Sequence, residues 1–538
     1  MFSHRSLGTW GLLAVAGRFA FILFDDTRFM KPPYACSFCA RRPLRIGAAW
    51  LALALLLTVS ARAQSPNDAA DEVRRANPSA SGVFPHLAPV AEHEPRSEAG
   101  IGALMPWADR LWMVNYPAHK KRTGRGHGLF SVSEDLEMTK RPESVVGTYA
   151  NRMIHDPTDQ LLMGPYAIDT TGSVRVLDGL KGHRLAATMT HLDAPDERVY
   201  YLTMEGLLLE ATVTPGAPAN TRTLFDLKDE LDLPEGFQPH FKSGYTAQGR
   251  VIVGNNAYHE EEATGQRRTG RLASWDGSGD WKILARQPFV EVAGHSGGSG
   301  RITRAVYALG WDRASVLLKV LEEGKWSTYR LPKASHAWDH AWTTEWMRIR
   351  EVESEHLLMD AAGMFYELPL HVYGGSVWGI QPISRHLRVV PDFTAWRGFL
   401  VMAGNQTTVV GGNQALGGQP QSGLWLGKTD DLWQWGDPEG WGGPWRESRV
   451  EGGEPSDPYL MTGFDQKGLH LAHESDRDVT FTVEVDFLGN GTWKTYDEIT
   501  VPPGGYEHHE FPDGFGAHWV RLRPSADAES VTAQFVYN

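Results

Sequence analysis

A β-strand pattern that recurs about every 45–50 residues is the feature that most constrains the fold of this 538-residue chain. An apolar strand, a turn and a second strand that ends in a polar loop occur at 198–210 and again at 355–367. A similar couplet spans 270–284. The recurrence has the size of a four-stranded propeller blade. The sequence therefore predicts an all-β fold with a seven-bladed β-propeller over 99–464. A two-sheet sandwich is the alternative, and it explains the even spacing less well.

The pattern changes near residue 440, where the segment 436–445 is rich in Gly and Pro. Beyond Asp465, apolar and polar residues alternate through Thr480–Phe487, His518–Arg523 and Val531–Tyr537. This alternation predicts a small C-terminal antiparallel β-unit over 465–538. We expect a β-sandwich that packs on the propeller through Phe487, Trp493 and Trp519, with pairing of the last strand to a propeller edge as the alternative.

The N-terminal region has the layout of a secretory signal. Three arginines, Arg41, Arg42 and Arg45, precede an apolar run over 46–59, and Ala61-Arg-Ala63 follows it. The run is shorter than the ~20 residues of a membrane span. Residues 1–63 are therefore predicted to be a leader that is cleaved before Gln64, which makes the protein secreted or periplasmic. An uncleaved N-terminal anchor is the alternative.

Two further segments flank this leader prediction. Met30 is a natural start for a signal peptide, so residues 1–29 are interpreted as an upstream extension of the reading frame. Residues 64–98 are rich in Ala, Pro and Ser and are predicted to form an extended lead-in. After cleavage the mature chain is expected to have no membrane span.

Composition excludes several classes of function. Both cysteines, Cys36 and Cys39, lie in the predicted leader, so the mature chain would lack disulfides, thiol nucleophiles and Cys-ligated metals. The formal net charge of −13 argues against a nucleic-acid partner, because phosphate binding needs a basic face.

The segment Ser335–Glu351 is the densest in functional side chains, with two His, three Trp, two Arg and three carboxylates. Aromatic rings beside cations and imidazoles suit an anionic, ring-shaped ligand such as an acidic sugar. The alternative is a strand that enters a core, with Trp342 and Trp346 packed and the charges paired across strands.

Six segments together resemble a known family: Gly126–Phe130, Asn151–His155, Gly164–Asp169, His240–Arg250, Ser335–Glu351 and Arg385–Phe393. They are similar to secreted β-propeller proteins of polysaccharide-degrading microbes, the L-rhamnose-α-1,4-D-glucuronate lyases. The resemblance spans about residues 100–435. It implies a lyase that acts on the side-chain ends of acidic plant polysaccharides such as arabinogalactan and gum arabic.

β-Elimination from a uronate needs a cation on the carboxylate, a base for the C5 proton and an acid for the departing O4. Arginine serves the first role best, through its bidentate fork. We predict catalytic roles for His155, His240 and Tyr245. The predicted substrate-binding residues are Arg152, Arg250, His127, His340, Trp342, Arg350 and Arg388.

Other readings of these residues stay open. A glycoside hydrolase would use paired carboxylates, for which Asp339, Glu345 and Asp360 are available. A non-catalytic propeller would use the Trp-rich loops only to bind glycan. No cofactor is predicted with certainty, but a divalent cation held by His240, His340, His386 and Gln406 is an alternative.

Overall fold

The computed structural model describes residues 98–117, 128–234, 236, 238–257, 269–294, 305–334, 346–353, 356–370, 372, 376–377, 379–407 and 422–538. Within these ranges the chain is nearly all β, which confirms the predicted class. Helical turns are short and lie at Asp156–Thr158, Asp178–Leu180, Leu227–Glu230 and Thr429–Gln434. None of the helices in the described ranges is long and apolar enough to span a bilayer.

In the described residues, the strands that precede Gly440 form successive antiparallel groups, numbered here as sheets 1 to 7, of which the first and the last are hydrogen-bonded into one sheet. In each sheet, strands that are consecutive in sequence are neighbours. Sheet 1 contains β1 (Glu98–Trp107), β2 (Arg110–Pro117), β3 (Gly128–Val132) and β4 (Met138–Lys140). Sheet 2 contains β5 (Arg152–His155), β6 (Gln160–Met163), β7 (Tyr166–Asp169) and β8 (Val174–Val176). Sheet 3 contains β9 (Leu185–Thr190), β10 (Arg198–Thr203), β11 (Leu207–Thr212) and β12 (Thr221–Asp226).

The remaining four sheets continue the same order. Sheet 4 contains β13 (Pro239–Ala247), β14 (Arg250–Ala257), β15 (Arg271–Trp275) and β16 (Lys282–Ala285). Sheet 5 contains β17 (Phe289–Gly294), β18 (Val306–Trp311), β19 (Val316–Glu322) and β20 (Lys325–Leu331). Sheet 6 contains β21 (Arg348–Glu353), β22 (His356–Ala361), β23 (Met364–Leu368) and β24 (Gln381–Arg385). Sheet 7 contains β25 (Phe393–Trp396), β26 (Phe399–Thr407) and β27 (Ser422–Gly427).

The first strands of these sheets form a closed circuit. Each first strand contacts the first strand of the next sheet, from β1 through β25, and β25 contacts β1 again. The start of β1, Glu98–Gly100, also pairs antiparallel with Asn405–Thr407 of β26. Successive antiparallel sheets around a ring of innermost strands are the arrangement of a propeller-like fold.

Tight hairpins set the register within the sheets. Two-residue turns at Gln248–Gly249, Ala362–Gly363 and Arg397–Gly398 have positive φ at both positions, 49° and 70° at the first of them. Such turns match the twist of paired strands, and glycine adopts positive φ without a Cβ clash. Because the register is set, alternate side chains reach the cores between sheets, where Trp112, Tyr149 and Tyr201 are fully buried.

The C-terminal region forms two further four-stranded layers. One layer has the order β28-β35-β30-β33, with β28 (Gly440–Val450), β30 (Lys467–Ala472), β33 (Tyr506–Glu510) and β35 (Ala528–Tyr537). The other has the order β29-β34-β31-β32, with β29 (Tyr459–Leu460), β31 (Val479–Asp486), β32 (Lys494–Val501) and β34 (Trp519–Pro524). The first layer therefore takes β28 from residues that precede 465, the start of the C-terminal unit expected from the sequence.

The C-terminal layers join the ring at sheet 5. The short strand β29 pairs in parallel with β20 through Tyr459 and Arg330, so one layer continues sheet 5. The last strand, β35, pairs with β28 and β30 instead of a propeller edge. Of the three expected contact residues, Trp519 is buried and its Nε1 donates to Val377 O at 3.0 Å. Phe487 is 55% exposed, so its predicted packing role is wrong.

Candidate functional site

The first strands bring polar residues to one end of the ring. Four antiparallel strands return the chain to the end at which it started, so successive first strands begin at the same end, here called the entry end. Arg152 is the first residue of β5, His240 is the second of β13, and Arg348 and Arg350 open β21. Arg152, His240 and Arg350 are predicted site residues, and the topology places them at one end of the ring with Arg348.

A buried carboxylate, Asp392, joins two of these arginines. The Nε of Arg152 lies 2.8 Å from Asp392 Oδ2, and the Nε of Arg350 donates to Asp392 Oδ1 at 2.6 Å. The backbone N–H of Leu104 in β1 also donates to Oδ2, at 2.7 Å. One carboxylate directly before β25 therefore ties together residues of sheets 1, 2 and 6.

A second carboxylate, Glu291 of β17, extends this network. It forms ion pairs with the Nη1 of Arg350 and, at 3.6 Å, with the Nη1 of Arg348. Arg348 also lies 5.2 Å from the ring centre of Trp346, and Lys242 Nζ of β13 lies 4.5 Å from it. Cations from sheets 4 and 6 therefore share one aromatic ring, an arrangement that stabilises both.

The network shifts the pKa values of its members. Burial alone would raise the pKa of Asp392, but Arg152 and Arg350 outweigh it and hold the pKa below its usual value. Burial lowers the pKa of Arg152 to about 10, against the opposing effect of Asp392. Burial also acts to lower the pKa of Arg350, but Asp392 and Glu291 raise it overall. These groups are therefore ionised at neutral pH.

Both arginines keep hydrogen-bonding capacity beyond these contacts. Among the described residues, the Nη2 of Arg350 has no hydrogen-bond partner, and the Nη1 of Arg152 contacts only the thioether of Met105. Their side chains are 18% and 13% exposed. Sulfur is a weak acceptor, so an incoming carboxylate would find unused N–H donors on two cations.

His155, a predicted catalytic residue, has both ring nitrogens engaged. Its Nδ1 lies 2.6 Å from Thr158 Oγ1 and its Nε2 lies 2.7 Å from Pro195 O. The residue is buried and ends β5, opposite the entry end. Because both ring nitrogens have partners, these contacts are typical of a structural histidine.

The predicted trio of His240, Tyr245 and Arg250 is separated by the hairpin of sheet 4. His240 pairs with Asn256 at the entry end, whereas Tyr245 pairs with Ile252 and Arg250 pairs with Ala247 beside the turn. Five residues of strand separate His240 from Tyr245, which is about 16 Å. Closeness in sequence therefore did not produce one cluster, because a strand extends its residues along a line.

The remaining predicted residues lie away from this network or outside the described ranges. Arg388 is exposed, and its backbone N–H donates to His386 Nδ1 at 3.2 Å. His386 is buried, and its Nε2 lies 3.0 Å from Asp360. His127, His340 and Trp342 lie outside the described residues, and their predicted roles stay predictions.

The cation alternative gains no ligand set here. Within the described ranges no three His, Cys, Asp or Glu side chains are gathered in a way that could hold a metal. His240 and His386 belong to different sheets, and His340 and the side chain of Gln406 lie outside what the structure describes. That alternative stays a prediction.

Sequence reasoning missed Asp392, Glu291 and Lys242, which complete the network. One signal was present for the first of them: Asp392 follows Val-Val-Pro and precedes an apolar strand, so it lies between two apolar stretches of the sequence. Buried arginines need such counter-charges, so clustered arginines in strand starts imply carboxylates in neighbouring strand starts.

Comparisons with known proteins leave the family of this chain open. No protein-family model matches it, and no curated protein matches it. Among solved structures, a luciferin-regenerating enzyme is similar at 10% identity and a TM-score of 0.32, over 52% of this chain and 91% of that one. The Dos1 propeller is similar at 9% identity and a TM-score of 0.36, over 62% and 95%.

A third solved structure is the exo-β-1,3-galactanase of Phanerochaete chrysosporium. It is similar at 8% identity and a TM-score of 0.29, over 85% of this chain and 100% of that one. TM-scores this low support no argument about function. The propeller-like assignment therefore rests on the strand pairing and on the circuit of first strands.

Proposed function

We propose that this protein is a secreted carbohydrate-active lyase on a seven-bladed β-propeller, which binds a glucuronate of a plant polysaccharide and eliminates the sugar linked to its O4. One observation supports it most: Arg152 and Arg350, from sheets 2 and 6, meet at Asp392 and retain unused N–H donors. The proposed domains are a leader over 1–63, a propeller that ends before Gly440, and a C-terminal sandwich.

The chemistry requires a cation to neutralise the charge of the substrate carboxylate, so that C5 can release a proton. Two guanidinium groups that face the ligand would stabilise the enolate-like transition state more than the ground state. Of the three predicted acid–base residues, His240 is the one that lies at the entry end with Arg152. We therefore propose His240 as the base that takes the C5 proton. The C5–H electron pair then forms the C4–C5 double bond as the C4–O4 bond breaks, and solvent protonates the departing O4.

The runner-up, a glycoside hydrolase, needs a carboxylic acid with a raised pKa and a second carboxylate. The pKa of Asp392 is lowered, and Glu291 is engaged with Arg348 and Arg350. Neither carboxylate of the network suits proton donation. The third candidate, a binding protein without turnover, needs no acid or base at all.

The test is incubation of the purified protein with gum arabic and other acidic plant polysaccharides. A lyase releases rhamnose together with a 4,5-unsaturated uronate that absorbs in the near ultraviolet. Rhamnose without this chromophore would identify a hydrolase, and binding without product would identify a glycan-binding propeller. Either result overturns the lyase proposal.

Variants test whether the arginines act on the substrate. Arg350→Ala should lower kcat/KM by at least 100-fold, and Arg350→Lys should recover only part of the loss, because the planar fork is gone. Arg222→Ala is the control, because Arg222 is exposed and pairs with Glu210 far from the entry end. Activity of Arg350→Ala within a few-fold of the unmodified protein would remove this residue from the site.

A further inference from the structure

A pair of histidines stands on the exposed face of the C-terminal layer. His470 of β30 and His508 of β33 are direct cross-strand partners. Their imidazole rings are stacked, with centroids 4.6 Å apart and planes inclined by 29°. His508 is exposed and His470 is half-buried. Two imidazoles at this separation, outside the entry-end network, can act on one ligand together.

One ring nitrogen of His470 contacts a tyrosine hydroxyl. Its Nδ1 lies 2.8 Å from the hydroxyl of Tyr506, on the same exposed face of β33. Histidines that bind metals commonly bond through one ring nitrogen while the other donates to an oxygen. In the tautomer whose Nδ1–H donates to Tyr506, the Nε2 of His470 carries the lone pair.

The position of His508 fits the same reading. A Cβ built on Gly468 would lie 3.3 Å from His508 Nε2, so this nitrogen lies over a residue without a side chain. A larger residue there would push the ring aside. Imidazole–zinc bonds are about 2.1 Å long, which puts two ligating nitrogens of a tetrahedral ion roughly 3.4 Å apart. The ring centroids are 4.6 Å apart, and binding of one ion requires the two rings to turn out of their stack so that their lone pairs converge.

We propose that His470 and His508 form a binding site for a divalent first-row transition-metal ion, with Tyr506 as the residue that positions His470. Imidazole suits Zn²⁺, Cu²⁺ and Ni²⁺, and Cu²⁺ binds most tightly in this series. The described residues gather no third His, Cys, Asp or Glu here, so water completes the coordination. A bound ion would link β33, the edge strand of its layer, to the neighbouring strand β30.

The experiment is calorimetric titration of the untagged full chain with Cu²⁺ and Zn²⁺, with electron paramagnetic resonance of the copper form. We expect one ion per chain whose spectrum shows two imidazole nitrogens. His470→Ala and His508→Ala should each weaken binding at this site by at least tenfold. Tyr506→Phe should weaken it by roughly tenfold, as expected when the partner of a ligating histidine is removed.

His356→Ala is the matched control, because His356 is a cross-strand histidine that is 61% exposed and faces Glu367 instead of a second imidazole. It should bind as the unmodified protein does. Affinity and nitrogen count that are unchanged in His508→Ala overturn the proposal and show adventitious binding elsewhere. His508 is exposed, so His508→Ala is expected to fold. It therefore tests the proposal even if His470→Ala fails to fold.

Discussion

At the scale of single residues, Asp392 is the buried carboxylate that connects three sheets. It is fully buried and accepts from Leu104, Arg152 and Arg350, which belong to three different sheets. Removal of one partner from such a network leaves buried charges uncompensated. The network thus stabilises the contacts between sheets and also forms the proposed site for the substrate carboxylate. The first role predicts a change in stability when it is disrupted, and the second predicts a change in activity.

We predict that Asp392→Asn lowers the free energy of unfolding by about 3–5 kcal/mol, because the buried Arg152 loses its ion-pair partner and Arg350 keeps only Glu291. Urea unfolding followed by tryptophan fluorescence measures the change. Glu439→Gln is the control, because its partner Arg385 is half exposed and such surface pairs contribute about 0–1 kcal/mol. Equal losses in the two variants would contradict the account of Asp392 as the carboxylate that connects three sheets.

The same carboxylate predicts an acid dependence. Its pKa is lower in the folded protein than in the unfolded chain, where it is about 3.9. Its contribution is therefore present above that unfolded value and is lost as the pH falls through the folded value. The stability gap between the unmodified protein and Asp392→Asn should be constant from pH 5 to 7 and shrink below about pH 4. A gap that shrinks already between pH 7 and 5 would assign the effect to another group.

At the scale of elements, the hairpins decide which residues meet. The turn at Gln248–Gly249 folds β14 back on β13, and this places Arg250 at the far end from His240. Positive φ at Gly249 makes the turn tight, and its Cβ position has no neighbour within 4 Å. Substitution there therefore tests backbone strain without a packing clash.

We predict that Gly249→Ala costs roughly 1–2 kcal/mol of folding free energy, because an L-residue at φ 70° clashes with its own backbone. Gly516→Ala is the control: its Cβ also has no neighbour within 4 Å, but its φ is ordinary. Thermal unfolding of both variants measures the difference. Equal midpoints would show that the turn relaxes without cost.

At the scale of the whole molecule, pairing between the first and last sheets closes the ring. The C-terminal layers join the ring at sheet 5. Closure uses the pairing of β1 with β26 and the bond from Leu104 to Asp392. The C-terminal layers share sheet 5 through β29, and Trp519 stacks near Tyr329 with ring centroids 4.7 Å apart. Truncation should therefore depend sharply on where the chain is cut.

We predict that a chain ending at residue 464 is less soluble than one ending at residue 438. The longer chain keeps the eleven-residue strand β28, whose partner β35 is lost, so most of its backbone beyond the bridge between Trp441 and Lys333 is exposed. Size-exclusion chromatography after matched expression measures the monomer fraction of each. A larger monomer fraction for the longer chain would place the domain boundary at 465, as expected from the sequence.

The sequence by itself determined the all-β class and the succession of short antiparallel strands. These depend on local alternation and on turn residues such as Gln248–Gly249, which act within a few positions of the chain. The convergence of Arg152, Arg350 and Asp392 was decided only by the tertiary structure, since 240 residues separate Arg152 from Asp392. Periodicity gives the side of a strand on which a residue lies. It does not give the neighbouring sheet, so ring closure alone determined which charges meet.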